Sequence, residues 1–199
     1  MDSLWKYFDE TFNVLRSISA PIMEEYFKVM EKAYREERAL YIFGNGGSAS
    51  TASHFAQDLS KGTLCDFENQ KRLRVISLCD NISGITAWSN DMAYSSIFEQ
   101  QLRNLAREGD IAIGISGSGN SENVVNGLHY AKTMNMTTIA FTGYDGGKIG
   151  KLVDLNIHFP SYNMGLVEAA HSVVMHYLVQ ELKERFAKKI SMKIQHRAQ

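Results

Sequence analysis

The sequence predicts an α/β protein, a three-layer αβα sandwich with a five-stranded parallel sheet that is preceded by two helices. Short apolar stretches alternate with stretches of helical periodicity over most of the chain. Short strands that are apolar throughout and separated by helices are typical of a parallel sheet covered on both faces. Loops rich in glycine and serine follow two of these strands, at the edge where such sheets bind ligands.

Two helices are expected before the first strand. Pro21 marks the start of the second helix, which runs to about Arg38. The first helix has an apolar stripe at helical spacing, formed by Leu4, Trp5, Phe8, Phe12 and Leu15. Because a monomer rarely exposes such a stripe, we expect the leading helices, residues 1–38, to contact another subunit.

Strands and helices then alternate. The predicted strands are residues 40–43, 73–78, 111–115, 137–142 and 155–159. The helices between them begin at about Ser48, Ile82, Ser95, Ser121 and Lys148, and a last long helix runs from about Met164 to Ala187. The chain has only two prolines and no internal repeat. We therefore expect one domain, residues 1–199, in which a core over 39–188 is followed by a basic tail at 189–199.

Composition and charge exclude several classes of protein. The chain has 199 residues, 44% of them hydrophobic, which is enough for one well-buried domain. Its net charge of −1 gives no bulk attraction to nucleic acid, and the basic residues from Lys183 to Gln199 are typical of a solvated helix end. No apolar run approaches the roughly 20 residues that span a bilayer. The N-terminus lacks a signal-peptide pattern, and Cys65 and Cys79 show no metal or redox spacing. We therefore expect a cytoplasmic protein without membrane or nucleic-acid partners.

The first ligand-binding candidate is the glycine loop, residues 44–48, which follows the first predicted strand. Gly44, Gly46 and Gly47 come directly before a helical pattern. Glycine lets the backbone turn tightly and approach a ligand, and the N–H groups at a helix N-terminus stabilise an anion. The spacing matches neither the P-loop nor the dinucleotide-binding motif.

The second candidate is the serine loop, residues 116–121, which follows the third predicted strand. Ser116, Ser118 and Ser121 alternate with glycines, and the loop contains no lysine or arginine. This composition favours neutral hydrogen-bond donors and a helix dipole as the means of binding phosphate. A solvated turn would explain one such loop, but two loops of this kind after strands of one sheet favour a phosphate ligand.

Several motifs, in order, resemble the sugar isomerase (SIS) domain family. They are GNGGSAS, SHFAQDL, SND, GISGSGNS and FTGYDGG, and within the family they are most similar to the phosphoheptose isomerases. The resemblance implies a flavodoxin-like core, a homotetramer with active sites shared between subunits, and conversion of sedoheptulose 7-phosphate to a heptose 7-phosphate. It also implies that the serine loop binds the phosphate and that Asn45, Gly46 and Ser48 line the sugar. Gly117 stands where the family commonly has threonine.

Four side chains are candidates for a metal site. His54 and Asp58 are four residues apart on one predicted helix, and Glu168 and His176 are eight apart on the last. Residues at either spacing share a helix face, and imidazole and carboxylate groups suit zinc. Alternatively, His54 and Asp58 form an ordinary side-chain pair, and the last helix packs His171 and His176 in a subunit interface. The resemblance favours the metal and acid–base roles.

Two of these positions depart from the family, which usually has glutamate in place of Asp58 and glutamine in place of Glu168. The shorter Asp58 could act as the base that removes a proton next to the carbonyl or, if it binds the metal, as a group that stabilises charge. His176 is the expected partner acid/base, and zinc would polarise the carbonyl. Asp91 is expected either to hold a sugar hydroxyl or to cap a helix N-terminus.

Two alternative functions remain. The two departures are compatible with isomerisation of another sugar phosphate, and SIS domains also serve as non-catalytic sensors that bind sugar phosphates or protein partners. A sensor needs only the phosphate-binding loops. The presence of two carboxylates and two histidines therefore favours an enzyme.

Overall fold

A five-stranded parallel sheet forms the centre of the protein in a computed structural model, which describes residues 2–197 and their side chains up to Lys188. The strands are β1 (Ala39–Gly44), β2 (Arg74–Ser77), β3 (Ile111–Ser116), β4 (Thr137–Thr142) and β5 (Leu155–His158). Their order in the sheet is β2-β1-β3-β4-β5, and all neighbouring pairs are parallel. The predicted α/β class and the parallel sheet are confirmed.

The helices are α1 (Asp2–Arg16), α2 (Ala20–Glu36), α3 (Gly47–Gln57), α4 (Ile82–Asp91), α5 (Ile97–Leu105), α6 (Glu122–Thr133), α7 (Gly147–Leu152) and α8 (Met164–Arg197). A π-helical turn, Asp58–Gly62, continues α3, and a 3-10 turn, Tyr94–Ser96, precedes α5. The expected end of the last helix at about Ala187 is wrong, since α8 continues to Arg197. Lysine, arginine and glutamine are good helix formers and suit a helix C-terminus. The side chains of the predicted basic tail lie outside the described residues.

The topology brings the two candidate loops together. From β1 the chain crosses to β2 on one side and then returns to β3 on the other, so β1 and β3 are neighbours. Gly44 at the end of β1 is paired in register with Ile115 near the end of β3. The glycine loop and the serine loop therefore leave the same edge of the sheet side by side, at the reversal of strand order where ligands bind in such folds.

Two apolar layers cover the sheet, one on each face. Along β1, Leu40 and Ile42 face a core shared with α2, α3 and α8, while Tyr41 and Phe43 face a core shared with α5 and α6. This alternation follows from the two-residue period of a strand. Both β1 and β3 are buried along their whole length, and β3 has no polar side chain before Ser116, as the sequence indicated.

Helix α1 packs against α8 and reaches the core only near its C-terminal end, through Val14 and Leu15. Its apolar stripe is largely exposed: the exposed fraction is 51% for Leu4, 61% for Trp5, 49% for Phe8 and 52% for Phe12. Leu15, by contrast, packs against the core. The stripe is therefore available for a contact with another chain, and that contact stays a prediction. Within residues 2–197, no helix combines the length and the apolar character that crossing a membrane requires.

Candidate active site

Asn45 ties the glycine loop to its neighbours. Its amide makes a reciprocal pair with the amide of Asn123 in the first turn of α6, with both hydrogen bonds 2.8 Å long. The hydroxyl of Tyr94 donates a third bond, 2.9 Å long, to the side-chain oxygen of Asn45. Sequence reasoning predicted Asn45 but missed Asn123 and Tyr94. A polar residue in the first turn of a helix after a Ser/Gly loop was the available signal for Asn123.

The carboxylate of Glu168 lies against the start of α3. A Cβ atom added to Gly47, the first residue of α3, would lie 2.9 Å from Oε1 of Glu168. Gly47 also has a φ of +55°, which glycine adopts without strain. The N-terminus of a helix favours a nearby carboxylate through the helix dipole. The anion-stabilising position predicted for the glycine loop is therefore next to an acidic side chain of the protein itself.

Two of the three hydroxyl groups of the serine loop are hydrogen-bonded to each other. The hydroxyl of Ser116 donates to that of Ser121 over 3.1 Å, and the oxygen of Ser118 accepts a 3.2 Å bond from the backbone N–H of Asn120. Ser116 is buried, whereas Ser118 and Ser121 are half-buried. Ser116 and Ser121 thus form a hydroxyl pair directly before α6, where the helix dipole favours an anion, and Ser118 lies in the same loop.

Backbone hydrogen bonds hold the serine loop to the segment that follows β4. Gly143 N–H donates to the carbonyl of Gly117, and Ile149 N–H donates to the carbonyl of Gly119, both over 2.9 Å. Gly119 has a φ of +66°, and a Cβ atom there would lie 2.1 Å from a backbone oxygen, so only glycine fits. Asp145 accepts a 3.0 Å bond from Gly147 N–H, which stabilises the turn of that second segment.

The Asp58 cluster consists of His54, Asp58 and His176. It lies where the C-terminal end of α3 and the turn that follows it contact α8. Oδ2 of Asp58 lies 3.3 Å from Nε2 of His54 and 3.4 Å from Nδ1 of His176. Asp58 begins the π-helical turn, an irregularity that is frequent at functional sites. The cluster lines a cavity of about 160 Å³ with Ser50, Thr51 and Ser172. Both imidazoles are more than half exposed, while the Asp58 side chain is 24% exposed.

The donor atoms of the Asp58 cluster fit a zinc ion. All three lie within 4.8 Å of one another. Tetrahedral zinc with ligands at about 2.0–2.2 Å needs donor atoms about 3.4 Å apart, close to the two distances from Asp58. Two histidines and one carboxylate leave a fourth position for a substrate oxygen. Glu168, the fourth predicted ligand, does not belong to the group, since its carboxylate lies against Gly47.

Asp91 was expected either to cap a helix N-terminus or to hold a sugar hydroxyl, and the structure contradicts the first of these roles. It is the last residue of α4, so the interpretation of Asp91 as a helix N-cap is wrong. The N-cap of α4 is Asn81, whose side chain accepts a 2.9 Å bond from Gly84 N–H. Asp91 is exposed, and one of its oxygens accepts a 2.8 Å bond from the side chain of Asn90. Its role toward a sugar hydroxyl stays a prediction.

His171 belongs to the core rather than to a surface. Its ring packs edge-on against Phe159, with centroids 4.5 Å apart, and against Phe141. Burial lowers the pKa of His171 to about 4, partly offset by a hydrogen bond to the backbone of Thr142. Its Nε2 has no hydrogen-bond partner among the described residues. The alternative that placed His171 in a subunit interface is therefore wrong for this residue, which is buried within one chain.

Known proteins have sequences and folds similar to those of this chain. The SIS domain family model matches residues 6–143. The probable phosphoheptose isomerase of Thermoplasma acidophilum is 39% identical over 147 residues, which cover 74% of this chain and 79% of the relative. The phosphoheptose isomerase of Aquifex aeolicus is 38% identical over 157 residues, covering 78% and 80%.

Solved structures agree with the sequence comparisons. The phosphoheptose isomerase of Neisseria gonorrhoeae superimposes with a TM-score of 0.83 at 28% identity, over 92% of this chain and 98% of that one. The family-model match over residues 6–143 includes the glycine loop, the serine loop and α3. By family model, sequence and structure, the chain belongs to the SIS domain family.

Proposed function

We propose that the protein is a phosphoheptose isomerase, which interconverts sedoheptulose 7-phosphate and a heptose 7-phosphate. The relatives named above carry that activity in their names. The observation that carries the proposal is the position of Asp58 between two imidazoles, in a protein that also has a hydroxyl-rich loop at a helix N-terminus. Proton transfer between adjacent carbons of a phosphorylated sugar needs these two kinds of site.

The serine loop binds the phosphate in this proposal. The hydroxyls of Ser116, Ser118 and Ser121 and the N–H groups at the start of α6 donate to the phosphate oxygens. Asn45, Gly46 and Ser48 of the glycine loop and the exposed carboxylate of Asp91 contact the sugar hydroxyls. The carboxylate of Glu168 lies beside Gly47 and repels other anions from the N-terminus of α3. This supports binding of the phosphate at the serine loop and of the uncharged sugar at the glycine loop.

Asp58 is the base that removes the proton next to the carbonyl. Both of its histidine contacts are made by Oδ2, so we assign proton transfer to Oδ1. His54 orients the carboxylate, and His176 moves protons at the substrate oxygens as the partner acid/base. His54, Asp58 and His176 would hold a zinc ion, which would supply stabilisation of the negative charge that develops during the reaction. With the ion bound, Asp58 would stabilise charge instead of acting as the base.

The distances along two helices support an active site that is shared between two subunits. Helices α3 and α8 rise about 1.5 Å per residue, so Asp58 and His176 lie about 16 to 18 Å along these helices from Gly47 and Met164. In an extended sugar, at about 1.2 Å per bond, the carbonyl carbon and the phosphorus are less than about 10 Å apart. One chain's serine loop and its own Asp58 cluster are too far apart for one substrate.

A homotetramer would supply the second subunit. The exposed stripe on α1 and the half-exposed imidazoles of His54 and His176 offer surface that another copy would cover. A cytoplasmic location accords with a phosphorylated substrate and with Cys65 and Cys79, which are both free thiols.

The test is hydrogen exchange at the carbons beside the carbonyl. The protein is incubated in deuterated water with sedoheptulose 7-phosphate or with shorter ketose phosphates, with and without zinc, and NMR follows deuterium incorporation. We expect exchange with the heptulose phosphate. Asp58→Asn should abolish the exchange without loss of folding, because the amide cannot accept the proton. Exchange only with a shorter sugar would reassign the substrate, and binding without exchange would indicate a sensor.

A further inference from the structure

Gly117 is a glycine for a reason different from that of its neighbours in the serine loop. Unlike Gly119, it does not have a positive φ, so its backbone suits any residue. A Cβ atom at Gly117 would instead meet the side chain of Met164, 2.3 Å from Sδ and 3.1 Å from Cε. The thioether of Met164 therefore occupies the space that a side chain at position 117 would take.

Met164 alone fills that space. The next atom near the added Cβ is Cγ1 of Val167, at an ordinary contact distance of 3.7 Å. Gly143 differs, because a Cβ there would lie 2.7 Å from the carbonyl oxygen of Gly117, which is backbone and cannot move aside. At position 117, therefore, a side chain of α8, that of Met164, limits the size of the residue that the serine loop can contain.

We propose that Met164 is a positioning and specificity-determining residue of the serine loop. It is the first residue of α8, and its thioether covers the Gly117 backbone between Ser116 and Ser118. This contact orders a glycine, which has the most conformational freedom to lose, before the ligand binds. It also places an apolar wall beside the hydroxyls, where a side chain at 117 would project. The inference rests on the proposed function, because it takes this loop as the phosphate site.

Three variants test whether Gly117 and Met164 share one space. Met164→Ala removes the cover and should weaken binding of sedoheptulose 7-phosphate about fivefold, as the loop must then be ordered by the ligand. Gly117→Ala should cause a loss no larger than that, because the added methyl displaces the flexible thioether but itself restricts the loop backbone. The double variant should bind no more weakly than either single variant, since both changes remove the same contact.

Two further variants serve as controls. Met164→Leu keeps an apolar side chain of similar volume and should bind nearly as tightly as the wild type. Val173→Ala shortens a half-exposed apolar residue elsewhere on α8 and should leave binding unchanged. Binding is measured by calorimetry with sedoheptulose 7-phosphate and, in parallel, with inorganic phosphate. In the steady state, Met164→Ala should raise KM without a matching fall in kcat.

The outcomes separate this inference from the proposed function. Additive losses in the double variant, or wild-type affinity in Met164→Ala, would overturn the role of Met164 even if turnover is normal. Shared, non-additive losses in a protein that binds the sugar phosphate but shows no deuterium exchange would support Met164 while the isomerase proposal fails. Wild-type protein that binds neither the sugar phosphate nor inorganic phosphate would overturn both.

Discussion

His171 and His176 lie five residues apart on α8 and have opposite environments. His171 is 1% exposed, packs between phenylalanine rings and has a pKa lowered to about 4 by burial. The side chain of His176 is 59% exposed and lies 3.4 Å from the carboxylate of Asp58. Five residues turn a helix by about 140°, so the two rings point to different sides. Position on the helix, rather than residue type, decides which histidine can transfer protons or bind a metal.

The largest expected effect is the loss of turnover when His176 is replaced. His176→Asn removes the partner acid/base and should lower kcat about a thousandfold. His171→Gln should leave kcat at neutral pH near the wild-type value, because that ring is buried away from the Asp58 cluster. Steady-state assays of both variants check the contrast. Equal losses would mean that the environments of the two histidines do not decide their roles.

The second effect is on stability in acid. The pKa of His171 is about 4 in the folded protein and about 6.5 when unfolded, so the unfolded chain binds the additional proton first. Stability from this group is full above about pH 6.5 and falls by about 3 kcal/mol as the pH drops to about 4. His171→Gln should flatten this slope in urea unfolding between pH 4.5 and 7.5. The exposed His129→Gln is the matched control, and an unchanged slope in His171→Gln would contradict the prediction.

A third, smaller effect concerns zinc affinity. His54→Gln removes one donor of the Asp58 cluster and should weaken zinc binding at least about tenfold, or about 1.4 kcal/mol. Glu168→Ala should change zinc binding little, because that carboxylate lies beside Gly47 rather than in the cluster. Competition with a chelator measures both variants. A large loss in Glu168→Ala would restore the four-ligand site that the sequence predicted.

The smallest effect is a gain in stability on removal of a buried polar atom that has no partner. Unlike the effect of His171, this gain should not depend on pH. Like Nε2 of His171, the hydroxyl of Tyr26 is buried without a hydrogen-bond partner among the described residues. Burial raises the pKa of Tyr26 above its usual value, so the phenol stays neutral at ordinary pH. Tyr26→Phe should therefore stabilise the fold by about 1 kcal/mol at every pH from 5 to 8. A pH-dependent gain would show that the orphaned hydroxyl is not the cause.

The architecture could be predicted from the sequence because local patterns determine it. Apolar strands separated by helices predict the parallel sheet, and the position of the serine loop after the third strand predicts hydroxyl groups at the start of a helix. Helical spacing predicted that Glu168 and His176 share a face of α8, but not which residues each side chain contacts. The position of Glu168 beside Gly47, away from Asp58, was therefore not predictable. The contacts of Asn45 with Asn123 and Tyr94, and of Met164 with Gly117, join residues distant in sequence. They depend on tertiary packing that no local pattern encodes.

The parallel sheet also has a consequence for the order of events in folding. Parallel neighbours cannot form by closing a hairpin, and β1 reaches its partner β3 only across some 70 intervening residues. Contacts between positions so distant along the chain form slowly, since the loop-closure entropy must be overcome first. The register of Gly44 with Ile115 sets the two loops side by side. During synthesis, the two halves of the binding edge therefore cannot be brought side by side until the chain has been extended through Ser116.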